Sequence, residues 1–236
     1  RAEPPCHHGH PVPGRCPCIR TLATQAELKA LKAQINPHFF FNSLNTIADL
    51  IHTDPALAEA SIERLATMFR YVLAGSERGQ VPLGEELAFV EDYLEIEQAR
   101  FGERLNVTCE IDSRALSTPV PSLILQPLVE NAVKHGLGDS GIIAVDIHVE
   151  SVDDVARISI ADQGPGMPAN YRIGNGPGHG LRNVDERLQK TYGRGLEVES
   201  NKPRGTVFTI RIPANSNTQS LHMQQTRNRN AYPDRR

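Results

Sequence analysis

Glu130-Asn131-Ala132-Val133-Lys134-His135-Gly136, Asp162-Gln163-Gly164-Pro165-Gly166 and Gly174-Asn175-Gly176-Pro177-Gly178-His179-Gly180 follow one another in the second half of the chain. On a helix, Asn131, Lys134 and His135 share one face, because they stand at i, i+3 and i+4. An amide oxygen at Asn131 suits a hard Mg²⁺ ion that keeps most of its waters. Lys134 is placed to neutralise phosphate charge, and His135 to stack near a nucleotide. Alone, the segment is explained equally well as a solvated helix face. Asp162 ends an apolar run, where a carboxylate can accept a hydrogen bond from an exocyclic amine such as that of adenine. Gly164 and Gly166 let the backbone turn sharply and approach a base. Alone, this is an ordinary strand-ending turn. Alternating glycines from Gly174 to Gly180 allow N–H groups to face phosphates, and a helix opening at Gly180 or Leu181 adds its positive end. The loop lacks the Gly-Lys-Ser/Thr ending of a Walker loop, and no βαβ unit precedes it as in a Rossmann turn.

Outward from these segments the chain falls into two textures. Before Leu105 it is helical. Leu28, Leu31 and Ile35 stand at helix spacing, and Phe39, Leu44, Ile47 and Ile51 continue an apolar stripe. Pro37 predicts a kink or a new first turn. Asp54-Pro55 predicts a capped second helix with Ile62, Leu65, Phe69 and Val72 on its buried side, broken between Gly75 and Gly79. A third helix is expected from about Glu85 to Arg100, with Leu87, Val90 and Leu94 inward. After Leu105 strands and helices mix. Strands are expected at Leu105–Ile111, Ile142–Glu150, Val155–Ala161, Leu196–Ser200 and Thr206–Ile212, with an Asp153-Asp154 turn and a helix ending at Gly136. Leu181, Val184 and Leu188 mark another helix that Gly193 stops. Cys109, alone in an alternating apolar stretch, reads as a buried thiol.

The ends are different. Residues 1–20 are proline-rich and carry Cys6, Cys16 and Cys18 beside His7, His8 and His10. Their spacing matches no closed zinc pattern, and the composition reads as a linker. Residues 214–236, rich in Asn, Gln and Arg, have no periodicity and read as a disordered tail. The chain has 236 residues, a formal charge of −3 and 39% hydrophobic residues, enough for two small domains or one domain with a helical arm. Mild acidity gives no reason to expect direct contact with nucleic acid. No apolar run is long enough to span a membrane, and residues 1–18 lack the apolar core of a signal peptide. Without an initial Met, the chain is expected to be part of something longer, soluble and cytoplasmic as given.

Together, the three segments resemble in order and spacing the N, G1 and G2 boxes of the GHKL superfamily, to which gyrase, Hsp90, MutL and histidine kinases belong. Arg204-Gly205-Thr206 before an alternating strand fits the closing sheet. The resemblance implies an α+β architecture, with N-terminal helices followed by a Bergerat-type α/β sandwich over residues 105–213. It implies ATP with Mg²⁺ as the ligand, Asn131 as the metal ligand and Asp162 as the reader of adenine. Gly176, Gly178 and Gly180 would bracket the phosphates, with Leu181 and Thr206 at the margins of the site. Hydrolytic members carry a Glu one turn before the Asn. Pro127 stands there, which argues against water as the main phosphate acceptor.

Gln34-Ile35-Asn36-Pro37-His38-Phe39-Phe40-Phe41-Asn42-Ser43-Leu44-Asn45 resembles the histidine segment of LytS/YehU-type sensor kinases, with Phe40 where the family usually has Leu. That family also accounts for Gln126-Pro127 before Glu130-Asn131. Neutral imidazole is a good nucleophile near pH 7, so the resemblance makes His38 the phosphoacceptor. Asn42, one turn on, can orient the ring by accepting its N–H. A lone His among three Phe is otherwise more often core; the ATP segments downstream reverse that weighting. An amphipathic hairpin of this size cannot bury its stripe alone, which predicts a homodimer through about residues 21–75 of a helical dimerisation and phosphoacceptor region at 21–104. The resemblance further implies a response regulator as phosphoryl acceptor (often with a LytTR-type DNA-binding domain), and a membrane or ligand-sensing region attached to the N-terminal side. The rival readings are a GHKL ATPase and a nucleotide-binding pseudokinase acting as a dimer module.

Overall fold

The structure is a computed structural model that describes residues 37–75, 78–168, 171, 173, 180–201 and 204–214. The expected linker at 1–20, the helical stripe of Leu28, Leu31 and Ile35, the glycines Gly176 and Gly178, and the tail at 214–236 lie outside the described residues, save Ala214. The chain divides into two units, Arg1–Phe41 and Asn42–Arg236.

In the first unit, helix α1 (Pro37–Thr53) begins at Pro37, where a missing N–H costs nothing. His38 is exposed, Phe39 is buried, and the rings of Phe40 and Phe41 meet in a tilted pair with centroids 6.0 Å apart.

In the second unit, α1 continues to Thr53, with His52 in its last turn, where the helix dipole favours a cation. Asp54 then starts α2 (Pro55–Gly75): its Oδ1 accepts the N–H of Leu57 at 3.1 Å, and Pro55 occupies the first turn. The buried side of α2 is Ala58, Ser61, Leu65, Met68 and Val72, an i, i+3, i+4 stripe. Of the expected side, Leu65 and Val72 are buried and Phe69 is half-buried, but Ile62 is 51% exposed, and Leu44 and Ile51 of α1 are exposed too. Ser61, on the buried side, satisfies its hydroxyl on the Leu57 carbonyl at 2.7 Å.

Helix α3 (Leu83–Phe101) is buried on two faces. It lies antiparallel to α2, with Tyr71 against Phe89 near one end and Arg64 paired to Glu95 near the other. Strand β1 (Gln80–Pro82), which precedes it, pairs with β3 (Pro119–Pro121) in a two-stranded antiparallel ribbon. These short strands have too few residues for alternation to be visible in sequence.

The main sheet has the order β2-β4-β5-β7-β6, formed by β2 (Leu105–Ile111), β4 (Ile143–Val152), β5 (Val155–Asp162), β6 (Glu197–Ser200) and β7 (Thr206–Pro213). β2 and β4 are parallel and the other pairs antiparallel. Asp153 and Asp154 both take positive φ in the tight β4–β5 turn, as the mirror-image hairpin turns require. Ile143, Val145, Ile147 and Val149 of β4, Ala156, Ile158 and Ile160 of β5, and Phe208, Ile210 and Ile212 of β7 face one side. Helices α4 (Gln126–His135) and α5 (Gly180–Tyr192) cover that side, with Leu128, Val129, Ala132, Val184 and Leu188 buried beneath them. The opposite face is polar: Arg157 pairs with Glu150 at 3.1 Å and His148 meets Glu110 at 3.2 Å. Gly193 ends α5 at φ +69°, its N–H on the Gln189 carbonyl. Cys109 is exposed, not buried: β2 has a sheet partner on one side only, and Val107, Cys109 and Ile111 line an open groove with Leu87, Glu91 and Leu94 of α3.

Candidate nucleotide site

The period of two along β5 sets the site. Ala156, Ile158 and Ile160 point under the helices, so Asp162 at the end of the same row points there as well. Its side chain is 2% exposed. Oδ1 accepts the N–H of Gly164 at 2.9 Å and that of Thr206 at 3.3 Å. Burial pushes the Asp162 carboxyl above the ordinary Asp range. The two N–H groups, the Thr206 hydroxyl and His135 pull it back part of the way. A carboxylate kept in so dry a place is an expensive acceptor unless a ligand uses it.

Glycines crowd around it for a geometric reason. A Cβ on Gly164 would strike the His135 carbonyl, one on Gly136 would strike the Ala132 carbonyl and sit 3.2 Å from Asp162 Cβ, and one on Gly205, at φ +112°, would strike the Asp162 carbonyl. Gly166, at φ +80°, leaves only 3.0 Å to the Gly205 carbonyl. The end of α4, the turn after β5 and the start of β7 are therefore in backbone contact. Asn201 ties the loop before Gly205 into the same knot, its Nδ2 donating to the Asp162 carbonyl at 2.8 Å.

Helix α4 forms one wall. It packs on β4 and β5 through Leu128, Val129 and Ala132, which turns Asn131, Lys134 and His135 toward its less covered side. Asn131 is half-buried, while Lys134 and His135 are exposed. The Nδ2 of Asn131 is enclosed and has no hydrogen-bond partner among the described residues. Such an orphaned donor costs about 1–3 kcal/mol, a cost that a bound acceptor atom would remove. Its Oδ1 is a hard oxygen donor of the kind Mg²⁺ takes. Glu130 is engaged elsewhere, accepting from Gln126 Nε2 at 2.6 Å. At the other wall α5 begins at Gly180, where an added Cβ would lie 3.4 Å from Pro127 Cβ. The start of the helix after the glycine-rich segment thus sits against the helix that carries Asn131. Leu181 is half-buried there. Among the described residues no group of three or more His, Cys, Asp or Glu is arranged to hold a metal ion.

The structure brings Asp162, Gly164, Gly166, Thr206 and the His135–Gly136 end of α4 together around the C-terminal end of β5, with Asn131 on the same helix and Gly180 against its start at Pro127. His38 belongs to the other unit. Sequence reading missed Glu86, Tyr71 and Arg187, which hold the turn leading into α4. The signal was the absence of any capping residue before Gln126: Leu125 offers no side-chain cap, so the acceptor had to come from another part of the chain.

Comparison with known proteins agrees in both halves. Residues 26–105 match the histidine kinase family model, and residues 119–216 match the model for histidine kinase-, DNA gyrase B- and HSP90-like ATPases. The fold is thus that of a GHKL ATPase domain preceded by a histidine-kinase segment. The chain is 39% identical over 204 residues to the sensor histidine kinase YpdA of Escherichia coli (strain K12), covering 83% of this chain and 35% of YpdA. It is 36% identical over 204 residues to the sensor protein LytS of Bacillus cereus, covering 81% of this chain and 35% of that protein. Among solved structures, the histidine kinase domain of a blue-light activated histidine kinase from Erythrobacter litoralis has a TM-score of 0.49 at 19% identity, over 86% of this chain and 97% of the other. The chain belongs to the LytS/YpdA-type family of sensor histidine kinases. It spans about a third of the length of the curated relatives it matches.

Proposed function

We propose that this chain is the kinase portion of a two-component sensor, in which His38 takes the γ-phosphoryl group of ATP. The observation that carries the reading is the buried Asp162 carboxylate, enclosed by backbone that only glycine permits, facing a helix whose Asn131 amide has an unmet donor. Residues 105–213 are the ATP-binding domain and residues 21–104 the dimerisation and phosphoacceptor region; 1–20 and 214–236 serve as linker and tail.

Asp162 accepts the adenine amine, with Gly164 and Gly166 letting the backbone lie close to the base and Thr206 fixing the carboxylate. Lys134 and His135 flank the nucleotide. Gly176, Gly178, Gly180 and Leu181 offer N–H groups to the phosphates at the start of a helix. Asn131 Oδ1 would hold Mg²⁺, which when bound would neutralise charge on the phosphates. One ring nitrogen of neutral His38 attacks the γ-phosphorus, the bond from phosphorus to the bridging oxygen breaks, and its electron pair leaves with ADP. The ring's remaining N–H proton then passes to solvent. Asn42, one turn along α1, orients the ring by accepting that N–H beforehand. An imidazole near neutrality needs no strong base, so positioning and charge carry the rate. Pro127 stands where a water-activating Glu would be needed, which favours transfer to His over hydrolysis.

Phe41, Leu44, Ile51, Ile62 and Leu73 leave apolar side chains exposed along α1 and α2, and a second copy is the partner that would cover them. The phosphoryl group passes to an Asp of a response regulator of the LytTR type, so that DNA contact belongs to the regulator. No helix among the described residues is long and apolar enough to cross a membrane. The kinase portion is cytoplasmic, and anchoring belongs to sensor sequence on its N-terminal side.

Incubation with γ-labelled ATP and magnesium tests the reading. Acid-labile, base-stable label is expected on the protein and is expected to disappear in His38→Gln, while nucleotide binding persists. ATP turnover that continues undiminished in His38→Gln would point to an ATPase instead.

A further inference from the structure

Helix α4 enters from the turn Ser122–Leu125, whose N-cap, Leu125, has no side-chain acceptor, and whose Ser122 hydroxyl donates to the Arg78 carbonyl instead. Leu123 holds φ +57°, a conformation costing a non-glycine residue about 1–3 kcal/mol. The strain has a result: the N–H groups of Leu123, Ile124 and Leu125 converge on one point. There the side chain of Glu86, from α3, accepts all three, Oε1 from Leu123 at 2.6 Å and Oε2 from Ile124 at 2.9 Å and Leu125 at 3.2 Å. Successive N–H groups arranged this way form an anion-binding concavity, and the protein fills it with its own carboxylate. Glu86 is 0% exposed. Burial drives its carboxyl above the ordinary Glu range despite the bonds that favour the charge.

The fourth bond reaches α2. Tyr71 Oη donates to Glu86 Oε1 at 2.5 Å, with its ring against Phe89. Burial raises the Tyr71 phenol well above its usual value, so it remains a donor at any working pH. From the other side, Arg187 of α5 donates to the Ser122 carbonyl at 2.7 Å. The turn is therefore gripped by α2 and α3 through the carboxylate and by α5 through the guanidinium.

We propose that Glu86 is a positioning residue for the nucleotide helix: it fixes the entry turn of α4 and shares its carboxylate with Tyr71, so that displacement of α2 reaches Asn131 through one hydrogen-bonded node. The consequence for ATP rests on the reading of α4 as the helix that carries the Mg-ATP ligand.

The test is amide hydrogen exchange on the nucleotide-free full chain, with Tyr71→Phe and Glu86→Gln beside wild type, followed by titration with a fluorescent ATP analogue. Tyr71→Phe removes one hydroxyl and keeps the ring. It is expected to speed exchange in residues 123–131 by about fivefold or more, with β5 (155–162) unchanged, and to weaken the analogue about threefold. Glu86→Gln, which cannot serve all four donors, is expected to do the same more strongly, about tenfold in affinity. Unchanged exchange at 123–131 in both variants would overturn the proposal, as would equal acceleration in β5, which marks global loosening. Selective loosening with an unaltered analogue Kd would leave Glu86 a structural cap and overturn its positioning role. A wild type that binds no analogue would instead sink the ATP reading, while the exchange data still decide whether Tyr71 and the turn are linked.

Discussion

The two helices α1 and α2 and the sandwich after Leu105 spend their apolar residues in opposite ways. In the sandwich, Phe208, Leu128, Ile158, Ile160 and Leu188 are fully buried; Asp162, brought inside, is bonded to the Gly164 and Thr206 backbone, and the Leu123–Leu125 turn is bonded to Glu86 of α3. In α1 and α2, Leu44, Ile51, Ile62 and Leu73 face outward. Leu44 and Ile51 are seven residues apart and Ile62 and Leu73 eleven, so each pair lies on one face of its helix. One region is finished within the chain, and the other has a face still to be covered. The sandwich is the part whose chemistry demands fixed geometry. On the proposed reading, the helices are the part that meets a second copy.

The largest effect is expected at Asp162. Asn at this position keeps one oxygen for the Gly164 and Thr206 N–H groups but turns a donor toward the adenine amine. Affinity for ATP should fall by roughly 100-fold or more, measured by calorimetry. Stability should not fall with it. The folded-state pKa of Asp162 is raised above 3.8, so the stability this group confers is complete below the ordinary Asp value and lost as pH rises through the raised one. At pH 7 the wild type carries that cost and Asp162→Asn does not. The variant is expected to melt at the same temperature or higher, with the gap closing as pH falls toward 3.8. A variant that binds ATP normally, or that loses stability at neutral pH, contradicts the reading of Asp162 as a ligand group held ready at a cost.

Legibility in the sequence follows the same division. The strands after Leu105 were readable because each buries one face, so Ile143, Val145 and Ile147 alternate with polar neighbours. Asn131, Asp162 and the glycines stood out because a nucleotide imposes residue types that packing does not. The orientation of α2 was readable in part: Leu65 and Val72 are buried as their spacing indicates, while Ile62, equally apolar, is exposed. Glu86 was invisible for a different reason: in a helix rich in Glu, nothing in the chain marks the one whose partners lie at Leu123–Leu125. Cys109 misled because alternation shows a strand but not whether the strand's face is closed by its neighbour; here it lines an open groove beside α3.

Next in size is the backbone contact beside Asp162. Gly205→Ala places a Cβ against the Asp162 carbonyl at a φ that L residues rarely adopt. A clash with backbone has no flexible partner to yield, so a loss of about 3 kcal/mol or more is expected, read from urea unfolding of the full chain. Gly164→Ala, which meets the His135 carbonyl, should behave alike. By contrast, Gly79 and Gly141 have open space where a Cβ would go, and Gly79→Ala should cost little. Equal tolerance at Gly79 and Gly205 would mean that the knot at the end of β5 is looser than its geometry.

The smallest effect on the folded chain, and the most specific one, is expected at Ile62. An exposed side chain contributes little to the stability of its own chain, so Ile62→Glu should leave melting and ATP affinity within about twofold of wild type. If the face containing Ile62 and Leu73 meets a second copy, burying an Ile there is worth roughly 1.5–3 kcal/mol per subunit, and a carboxylate in its place also has to be desolvated. Sedimentation velocity across a concentration series should then show the dimer weakened by about tenfold or more, with the sandwich unaffected. Placing the same charge at Leu65, on the buried side of α2, should instead unfold the packing against α3 and lower the melting temperature. An Ile62→Glu chain that remains as dimeric as wild type would show that the exposed face of α2 is not where two copies meet, and would move the dimer contact to the face of α1 that holds Leu44 and Ile51.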